Sequence, residues 1–250
     1  MAERQNIYFL SDAHLGVPDH AHSLEREKKL VQWLKQVAPS AKAIYLVGDI
    51  FDFWFEYKHV VPRGYVRLFG TIAGLTDNGL PVHFLPGNHD LWVRDYFHKE
   101  MGMQLHCGPI SEEFNGKTFY IAHGDGLGNG DKGYKLLKKL FTCKLCRWLF
   151  AQLHPDLAIR IASSFSHQSR INNTMKDEVF SGENNECLVT YAKKILQTRH
   201  YDYFIFGHRH LPLEINLPGN SRFINLGEWY HRFTYGVFDG ENFRLEYFDD

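Results

Sequence analysis

NIYFLSDAH, residues 6–14, is an apolar run followed at once by a carboxylate and an imidazole. Runs that are apolar at nearly every position are typical of strands covered on both faces. Four further runs closely precede Gly, Asp, Asn or His in the same way: residues 43–47, 81–85, 117–122 and 201–206. Helical patterns at about 23–37 and 64–78 lie between the first strands. This alternation of strand and helix predicts a layered α/β fold.

The C-terminal part of the chain has a different pattern. Three strand-like runs follow one another there: residues 221–226, 233–238 and 243–248. Asp239-Gly240 is a hairpin-turn pair between the last two runs. We therefore expect antiparallel strands that close the sheet.

Residues 130–198 interrupt the alternation, because they carry helical patterns and no convincing strand. Within residues 132–170, eight basic residues accompany a single acidic one, Asp156. We expect this stretch to be a helical cap inserted over the strand ends. The remaining residues, 1–129 and 199–250, would form the core domain.

The composition excludes several classes of protein. The chain has 250 residues, 44% hydrophobic and 23% charged, as in ordinary globular proteins. Its net charge of -1 argues against a polycation that binds nucleic acid, and a nuclease would need a broader basic surface than the cap offers. No signal-peptide pattern begins the sequence, and no apolar run reaches the roughly 18–20 residues that cross a bilayer. We expect a cytoplasmic protein.

The polar residues that follow the strands carry the chemistry. In open α/β sheets, ligands bind beyond the carboxyl ends of the strands. The residues expected to meet there are Asp12, His14, Asp49, Asn88, His123, His208 and His210. An Asp after one strand is usually a turn residue, and a single His is more often structural than a ligand. Five strand ends that all bear such residues indicate a shared metal site.

The residue types also indicate which metals the site would hold. Carboxylate, amide and imidazole ligands suit Mn²⁺, Fe, Zn²⁺ or Mg²⁺. In an extended segment, residues i and i+2 point the same way, so Asp12 and His14 could hold one ion or two. Asp49 would bridge, since one carboxylate can share its oxygens between cations about 3.5–4 Å apart.

These motifs resemble the five ordered motifs of the calcineurin-like metallophosphoesterases. The matching segments are Asp12-Ala-His14, Gly48-Asp49, Gly87-Asn88-His89-Asp90, His123-Gly-Asp125 and Gly207-His208-Arg-His210. The resemblance implies a two-sheet α/β sandwich with two divalent cations. It assigns Asp12, His14, Asp49 and His210 to the first metal, and Asp49, Asn88, His123 and His208 to the second.

The same resemblance implies roles in catalysis. Asp49, Asn88 and His89 form the implied catalytic set, in which His89 faces the scissile phosphate as an acid or as a charge partner. Asp90 would orient His89 from behind, although a plain helix-cap role fits Asp90 equally well. Asp52 is expected to support the site.

The cap resembles a narrower group, the UDP-2,3-diacylglucosamine pyrophosphatase family of lipid A biosynthesis. Ser169, Asn173 and Lys176 match its Ser-x-x-x-Asn-x-x-Lys motif, and Asp131 and Tyr134 match its Asp-x-x-Tyr motif. From spacing alone, a solvated helix face would be the favoured interpretation. The resemblance instead implies substrate contacts from Asn88, His89, Asp131, Tyr134, Ser169, Asn173, Lys176 and His208.

The implied reaction is hydrolysis of the UDP pyrophosphate to UMP and 2,3-diacylglucosamine 1-phosphate, usually with Mn²⁺. This chain departs from the family at one position, because it has His89 where the family typically has Arg. An arginine is a permanent fork-shaped cation, whereas a histidine titrates near neutrality. The alternative is therefore a phosphoesterase for a soluble nucleotide or phosphodiester. A non-catalytic interaction module is disfavoured, since it would not need the full ligand set.

Apolar residues in the cap leave two interpretations open. They are Leu136, Leu137, Leu140, Phe141, Leu145, Trp148 and Leu149. With the adjacent lysines they could bind acyl chains and an anionic membrane surface, peripherally on the cytoplasmic face of the inner membrane. An ordinary amphipathic helix with solvated lysines fits equally well. No obligate protein partner is predicted.

Cys143-Lys-Leu-Cys146 is a second motif in the cap. A structural zinc site would need two more ligands nearby, and a redox pair is expected in a thioredoxin-like setting. The sequence offers neither, so incidental cysteines are the favoured interpretation.

Overall fold

A computed structural model describes residues 4–128, 132–162, 164 and 180–249. The predictions for Asp131, Ser169, Asn173 and Lys176 fall outside these residues, as does the one for the side chain of Tyr134.

Strands and helices alternate in the first half of the chain, as predicted. The strands are β1 (Asn6–Leu10), β2 (Ala41–Val47), β3 (Val82–Leu85), β4 (Gln104–Leu105), β5 (Ile110–Phe114) and β6 (Lys117–Ala122). The helices are α1 (His20–Val37), α2 (Val66–Asp77) and α3 (Tyr96–Met101). The N–H of His22 donates to Asp19 Oδ1 at 3.0 Å, so an aspartate caps the start of α1.

The second half contains the predicted helical region and the closing strands. Helices α4 (Lys132–Thr142), α5 (Lys144–Ala151) and α6 (Cys187–Leu196) come first. Strands β7 (Tyr203–Phe206), β8 (Pro212–Leu217), β9 (Ser221–Leu226), β10 (Thr234–Phe238) and β11 (Phe243–Tyr247) follow.

The described strands form two sheets. The first has the order β11-β10-β1-β2-β3-β4, in which β1 to β4 are parallel and β10 and β11 are antiparallel. The second has the order β5-β6-β7-β9-β8, in which β6, β7 and β9 are parallel. The predicted two-sheet α/β architecture is confirmed.

Alternation along β1 shows how the layers pack. Ile7 and Phe9 belong to the apolar cluster that joins the two sheets, whereas Tyr8 and Leu10 belong to the cluster under the helices on the other face. Side chains two residues apart share a face of a strand, so one strand supplies both cores. Helix α6 covers the outer face of the second sheet through Leu188, which belongs to a third cluster. The result is a four-layer sandwich of helices, two sheets and a helix.

Helix α6 lies inside the range predicted for the cap, yet it packs as a layer of the sandwich. Helices α4 and α5 differ, since no residue of α5 is buried. The division of the chain at residues 130 and 198 stays a prediction. Among the described residues, every helix is too short or too polar to cross a bilayer.

Candidate metal centre

The first group of possible metal ligands contains Asp12, His14 and His210. Asp12 and His14 follow β1, and His210 follows β7 in the other sheet. Asp12 Oδ1 lies 3.2 Å from His210 Nε2 and 3.8 Å from His14 Nε2. The Nε2 atoms of the two histidines lie 3.1 Å apart. One divalent cation could contact all three side chains.

The second group contains Asp49, His123 and His208, which follow β2, β6 and β7. Asp49 Oδ2 lies 3.3 Å from His123 Nε2. The same oxygen lies 4.0 Å from His14 Nε2, so Asp49 stands between the two groups. The ring centres of His123 and His208 are 5.3 Å apart. The His123 Nδ1–H donates to the carbonyl of Val47 at 2.8 Å, which turns Nε2 towards Asp49.

Asn88 and His89 follow β3, and His89 faces the same crevice. Asn88 Oδ1 is buried and has no hydrogen-bond partner among the described residues. The His89 Nδ1–H donates to the carbonyl of Asp52 at 2.9 Å, and His89 Nε2 lies 4.0 Å from Asp49 Oδ2. His14, Asp49 and His89 thus form a third group that could hold a cation.

Six of the seven predicted ligands, all but Asn88, fall together with His89 into three overlapping groups. The extended backbone predicted at Asp12 and His14 is wrong, and the same departure occurs at His208 and His210. The left-handed φ angles are 55° at Asp12, 42° at His14, 71° at His208 and 47° at His210. Asp49 also has a positive φ, 53°. Residues other than glycine rarely adopt this conformation, and when they do they cluster at functional sites.

Asp90 organises the loops, but in a way different from the predicted one. Its Oδ1 accepts from the N–H of Gly87 at 2.7 Å, and its Oδ2 accepts from the N–H of Ile50 at 2.9 Å. The carboxylate thus joins the backbone after β3 to the backbone that carries Asp49.

Gly48 is required by the same crowding. A Cβ atom there would lie 2.5 Å from His123 Nδ1 and 2.8 Å from the backbone nitrogen of Gly87. Its φ of 83° also disfavours any side chain.

Arg26 is a supporting residue that the sequence did not reveal. It is buried on α1, where its guanidinium donates to the carbonyls of Ala13 at 3.3 Å, His14 at 3.0 Å and Val17. It also lies over the ring of Tyr230 at 4.1 Å. No local pattern distinguishes it from the solvated charges of α1.

Two ion pairs tie the helical region to the ligand loops. Arg209, between His208 and His210, donates to both carboxylate oxygens of Glu186 at 2.9 and 3.1 Å. Lys138 of α4 pairs with Asp125 at 2.5 Å.

Asp52 was expected to support the site. Its Oδ1 lies 3.6 Å from His14 Nδ1 and 3.7 Å from His89 Nδ1.

The electrostatics of the crevice keep Asp12 and Asp49 ionised. Burial alone would raise the pKa of Asp49, but the neighbouring His123, His89 and His14 hold it well below its usual range. Burial likewise opposes the shift at Asp12, whose pKa is lowered by His210 and His123. Burial and the charge of His123 lower the pKa of His208 to about 4. Ionised carboxylates beside a neutral imidazole, with the orphaned oxygen of Asn88, are a donor set that fits divalent cations.

The chain has relatives of known sequence and known structure. Residues 5–212 match the family model described as calcineurin-like phosphoesterase. A UDP-2,3-diacylglucosamine hydrolase of Porphyromonas gingivalis is 41% identical over 261 residues, covering 99% of each chain. One of Aeromonas salmonicida is 30% identical, covering 95% of this chain and 91% of that one. A solved phosphoesterase of E. coli is 13% identical, with a TM-score of 0.45 over 95% of this chain and 90% of its own.

The matched segment begins at β1 and ends at the start of β8, so it includes each strand end that carries a candidate ligand. Its Asp and His groups are compatible with a binuclear metal site. The chain belongs to the calcineurin-like phosphoesterase family.

Proposed function

We propose that this protein hydrolyses the pyrophosphate of UDP-2,3-diacylglucosamine, releasing UMP and 2,3-diacylglucosamine 1-phosphate. The observation that carries the proposal is the 41% identity to a hydrolase of that name over 99% of both chains. Relatives that share so much of their length are expected to share the cap as well as the core. The reaction would place the enzyme in lipid A biosynthesis.

The proposed metal ligands follow from the two groups of side chains. Asp12, His14, Asp49 and His210 would hold one cation, and Asp49, Asn88, His123 and His208 the other. The position of Asp49 Oδ2, 3.3 Å from His123 Nε2 and 4.0 Å from His14 Nε2, supports a shared carboxylate. We propose Mn²⁺, with oxygen and imidazole donors that suit it.

Bound cations would lower the pKa of a water and neutralise the phosphoryl oxygens during an in-line displacement. The protein's own contribution is orientation. Val47 and Asp52 accept hydrogen bonds from the Nδ1–H groups of His123 and His89, and these bonds fix the Nε2 atoms towards the crevice. With its Nδ1–H engaged in this way, the imidazolium form of His89 can donate from Nε2 to a phosphate oxygen or to the leaving group.

His89 supports the proposal less directly than the metal ligands do, because the family typically has an arginine there. A histidine donates one hydrogen bond from Nε2, whereas an arginine can fork two phosphate oxygens. The third group, His14, Asp49 and His89, allows His89 to approach a cation as well.

The cap would bind the rest of the substrate. Helices α4 and α5 expose much apolar surface: Leu136 is 72% exposed, Leu145 62% and Trp148 59%. Contiguous apolar surface of this kind usually marks a binding site. We propose that acyl chains lie on it, with the predicted contacts from Asp131, Tyr134, Ser169, Asn173 and Lys176 on the sugar and phosphates.

Aromatic contacts hold these helices beside the metal centre. The Trp92 Nε1–H donates to the carbonyl of Phe141 at 2.7 Å, and its ring lies 4.8 Å from that of Phe150. Phe55 also meets Phe150 at 4.8 Å. Trp92 follows Asn88 and His89, and Phe55 follows Asp49 and Asp52. The loops that carry the proposed catalytic residues would therefore also position α4 and α5.

The same apolar surface with its lysines would let the enzyme approach an anionic membrane, where its acylated substrate resides. A peripheral position on the cytoplasmic face of the inner membrane is part of the proposal.

Incubation with UDP-2,3-diacylglucosamine and Mn²⁺ tests the function directly. We expect release of UMP, detected by chromatography, and release that is roughly 10²–10³-fold or more slower from Asp49→Asn. If the acylated nucleotide is inert while a small phosphodiester is hydrolysed quickly, the enzyme acts on a soluble substrate instead.

A pair of variants tests the acyl site. Leu137→Asp with Leu145→Asp should reduce turnover of the acylated substrate roughly tenfold or more, since each charge replaces about 1–3 kcal/mol of apolar contact. Hydrolysis of a small phosphodiester should stay unchanged. The matched control is Val66→Asp, an exposed apolar residue of α2. Equal loss on both substrates would contradict an acyl site.

A further inference from the structure

Helix α4 turns two lysines towards the protein and its leucines towards solvent. Lys135 and Lys138 are half-buried, whereas Leu136 is 72% exposed and Leu140 52%. Residues three or four apart share a face of a helix, so the two lysines lie on one side and the two leucines on another. A surface helix normally packs the other way, with its apolar stripe on the core and its charges in water. Burial of these leucines therefore cannot account for the orientation of α4.

The loop that follows His123 engages both lysines. Lys138 Nζ donates to Asp125 Oδ2 at 2.5 Å and to the Asp125 carbonyl at 3.2 Å, and Lys135 Nζ donates to the Gly128 carbonyl. The side chain of Asp125 is 5% exposed and that of Lys138 32%. A charge-assisted hydrogen bond to a buried carboxylate is stronger than a bond between exposed charges. These bonds give α4 the contact with the protein that its exposed leucines do not make.

The other side of the same loop packs against the sandwich and the metal centre. A Cβ atom at Gly124 would lie 2.9 Å from the side chain of Leu188 and 3.5 Å from that of His208. A Cβ atom at Gly128 would lie 2.8 Å from the carbonyl oxygen of Cys187. The loop therefore lies directly on α6 and on a candidate metal ligand, and α4 is bonded to a loop that is itself packed in place.

We propose that Lys138 is a positioning residue, whose bonds to Asp125 hold α4 beside the second group of metal ligands with its leucine face open. The proposal rests on the proposed function, since this face is part of the surface on which acyl chains would lie. Without the ammonium group, α4 would rotate and bury its leucines against the core, because burial of apolar surface is favourable. The acyl surface would then close, while the metal ligands keep their places.

Dye binding distinguishes this role from that of a merely structural ion pair. Loss of a structural pair would loosen the packing and expose more apolar surface, whereas rotation of α4 would expose less. Nile red is an uncharged dye whose fluorescence reports exposed apolar surface. We expect Lys138→Met to bind less Nile red than the wild type, and Lys138→Arg to bind the wild-type amount. The matched control is Lys139→Met, which removes the same charge from the exposed side of α4 and should leave dye binding unchanged.

Steady-state kinetics with Mn²⁺ provides the second measurement. For UDP-2,3-diacylglucosamine, Lys138→Met should raise KM roughly tenfold or more with little change in kcat, because the loss affects binding away from the reacting phosphate. Lys138→Arg should restore most of the affinity, since it keeps a cation beside Asp125. A small phosphodiester should be hydrolysed by all three variants at the wild-type rate.

Unchanged or increased dye binding in Lys138→Met would overturn the proposal, and so would an equal loss of activity on both substrates. Circular dichroism checks that each variant is folded. If the wild type itself leaves the acylated nucleotide intact, the proposed function fails. The dye measurement then still decides whether Lys138 sets the orientation of α4.

Discussion

Asp12, His14, Asp49, His208 and His210 all adopt left-handed backbone conformations, which cost about 1–3 kcal/mol at a residue other than glycine. Such a conformation persists only where the surroundings determine it. Here the N–H of Asp12 donates to Gly48 at 3.0 Å and that of His14 to Asp49 at 3.0 Å. These backbone conformations direct the side chains at the strand ends into one crevice. Hydrogen bonds to the neighbouring loop stabilise the conformations.

Asp49 should be the most sensitive residue, because both groups of ligands depend on it. We expect Asp49→Asn to reduce kcat/KM roughly 10²–10³-fold or more, since it removes a charge that both cations need. Bound Mn²⁺, measured by elemental analysis, should fall as well. Asp77→Asn, at the exposed end of α2, is the matched control and should keep both properties. Full metal content in Asp49→Asn would contradict the shared carboxylate.

Arg26 should matter through the backbone of the loop after β1. Arg26→Met retains a long apolar stem but leaves the carbonyls of Ala13, His14 and Val17 without its N–H groups. We expect a loss of about 1–3 kcal/mol in the free energy of unfolding and roughly tenfold weaker Mn²⁺ binding. Chemical denaturation and metal titration measure these quantities. Arg63 is exposed, so Arg63→Met should change neither the free energy of unfolding nor the Mn²⁺ affinity. Unchanged metal affinity in Arg26→Met would show that the loop after β1 keeps its conformation without Arg26.

Some residues of the site could be predicted from the sequence and others could not. Asp12, Asp49 and His123 were predictable, because each follows an apolar run at the end of a strand. Arg26 was not, since its burial depends on a loop that the helix pattern does not specify. The predicted extended backbone at Asp12 was wrong for a related reason: strand geometry ends where the apolar run ends.

At the scale of elements, the central strands could be predicted because they are buried on both faces and therefore apolar throughout. Three of the four edge strands, β4, β5 and β8, could not. Residues of β5 alternate between half-buried and exposed, and β8 has only two buried residues, so their patterns resemble loops. The sequence pattern places helix α6 in the cap. Its packing against the second sheet is a tertiary contact, which no local sequence pattern indicates.

Strand β3 carries a buried histidine that should make stability depend on pH. His83 stacks on Tyr45 with ring centres 4.1 Å apart, and its Nδ1 lies 3.0 Å from His106 Nε2. Burial, and then the charge of His106, lower the pKa of His83 from 6.5 to about 4. Protonation therefore favours the unfolded chain as the pH falls from 6.5 to 4, and the stabilisation present above pH 6.5 is lost across that window.

The variant His83→Phe keeps the stacking and removes the titration. Its free energy of unfolding should fall less than that of the wild type between pH 6.5 and 4, by on the order of 1–2 kcal/mol. Urea denaturation at both pH values measures the difference. Identical acid-induced losses in the two proteins would mean that His83 does not contribute.

At the scale of the whole molecule, the metal centre lies where the two sheets meet. His14 and Asp49 come from the first sheet, whereas His123 and His208 come from the second. A backbone hydrogen bond crosses the same junction, where the N–H of Trp229, after β9, donates to the carbonyl of Asp12, after β1, at 3.0 Å. Cations bound there would connect the two sheets. They would do so at the end where charged side chains, rather than the apolar inter-sheet core, lie between the sheets.

Removal of metal should therefore lower the stability of the entire fold. A ligand present at 1,000 times its Kd stabilises the folded state by about 4 kcal/mol, if the unfolded chain does not bind it. For a chain of this length, 1 kcal/mol shifts the Tm by about 2–4 °C, so chelation should lower the Tm by roughly 8–16 °C. Differential scanning calorimetry before and after EDTA, and again after addition of Mn²⁺, measures the shift. Asp49→Asn should show little response to either, because its two sites lack the shared ligand. If the wild-type Tm changes with neither EDTA nor Mn²⁺, no cation connects the two sheets.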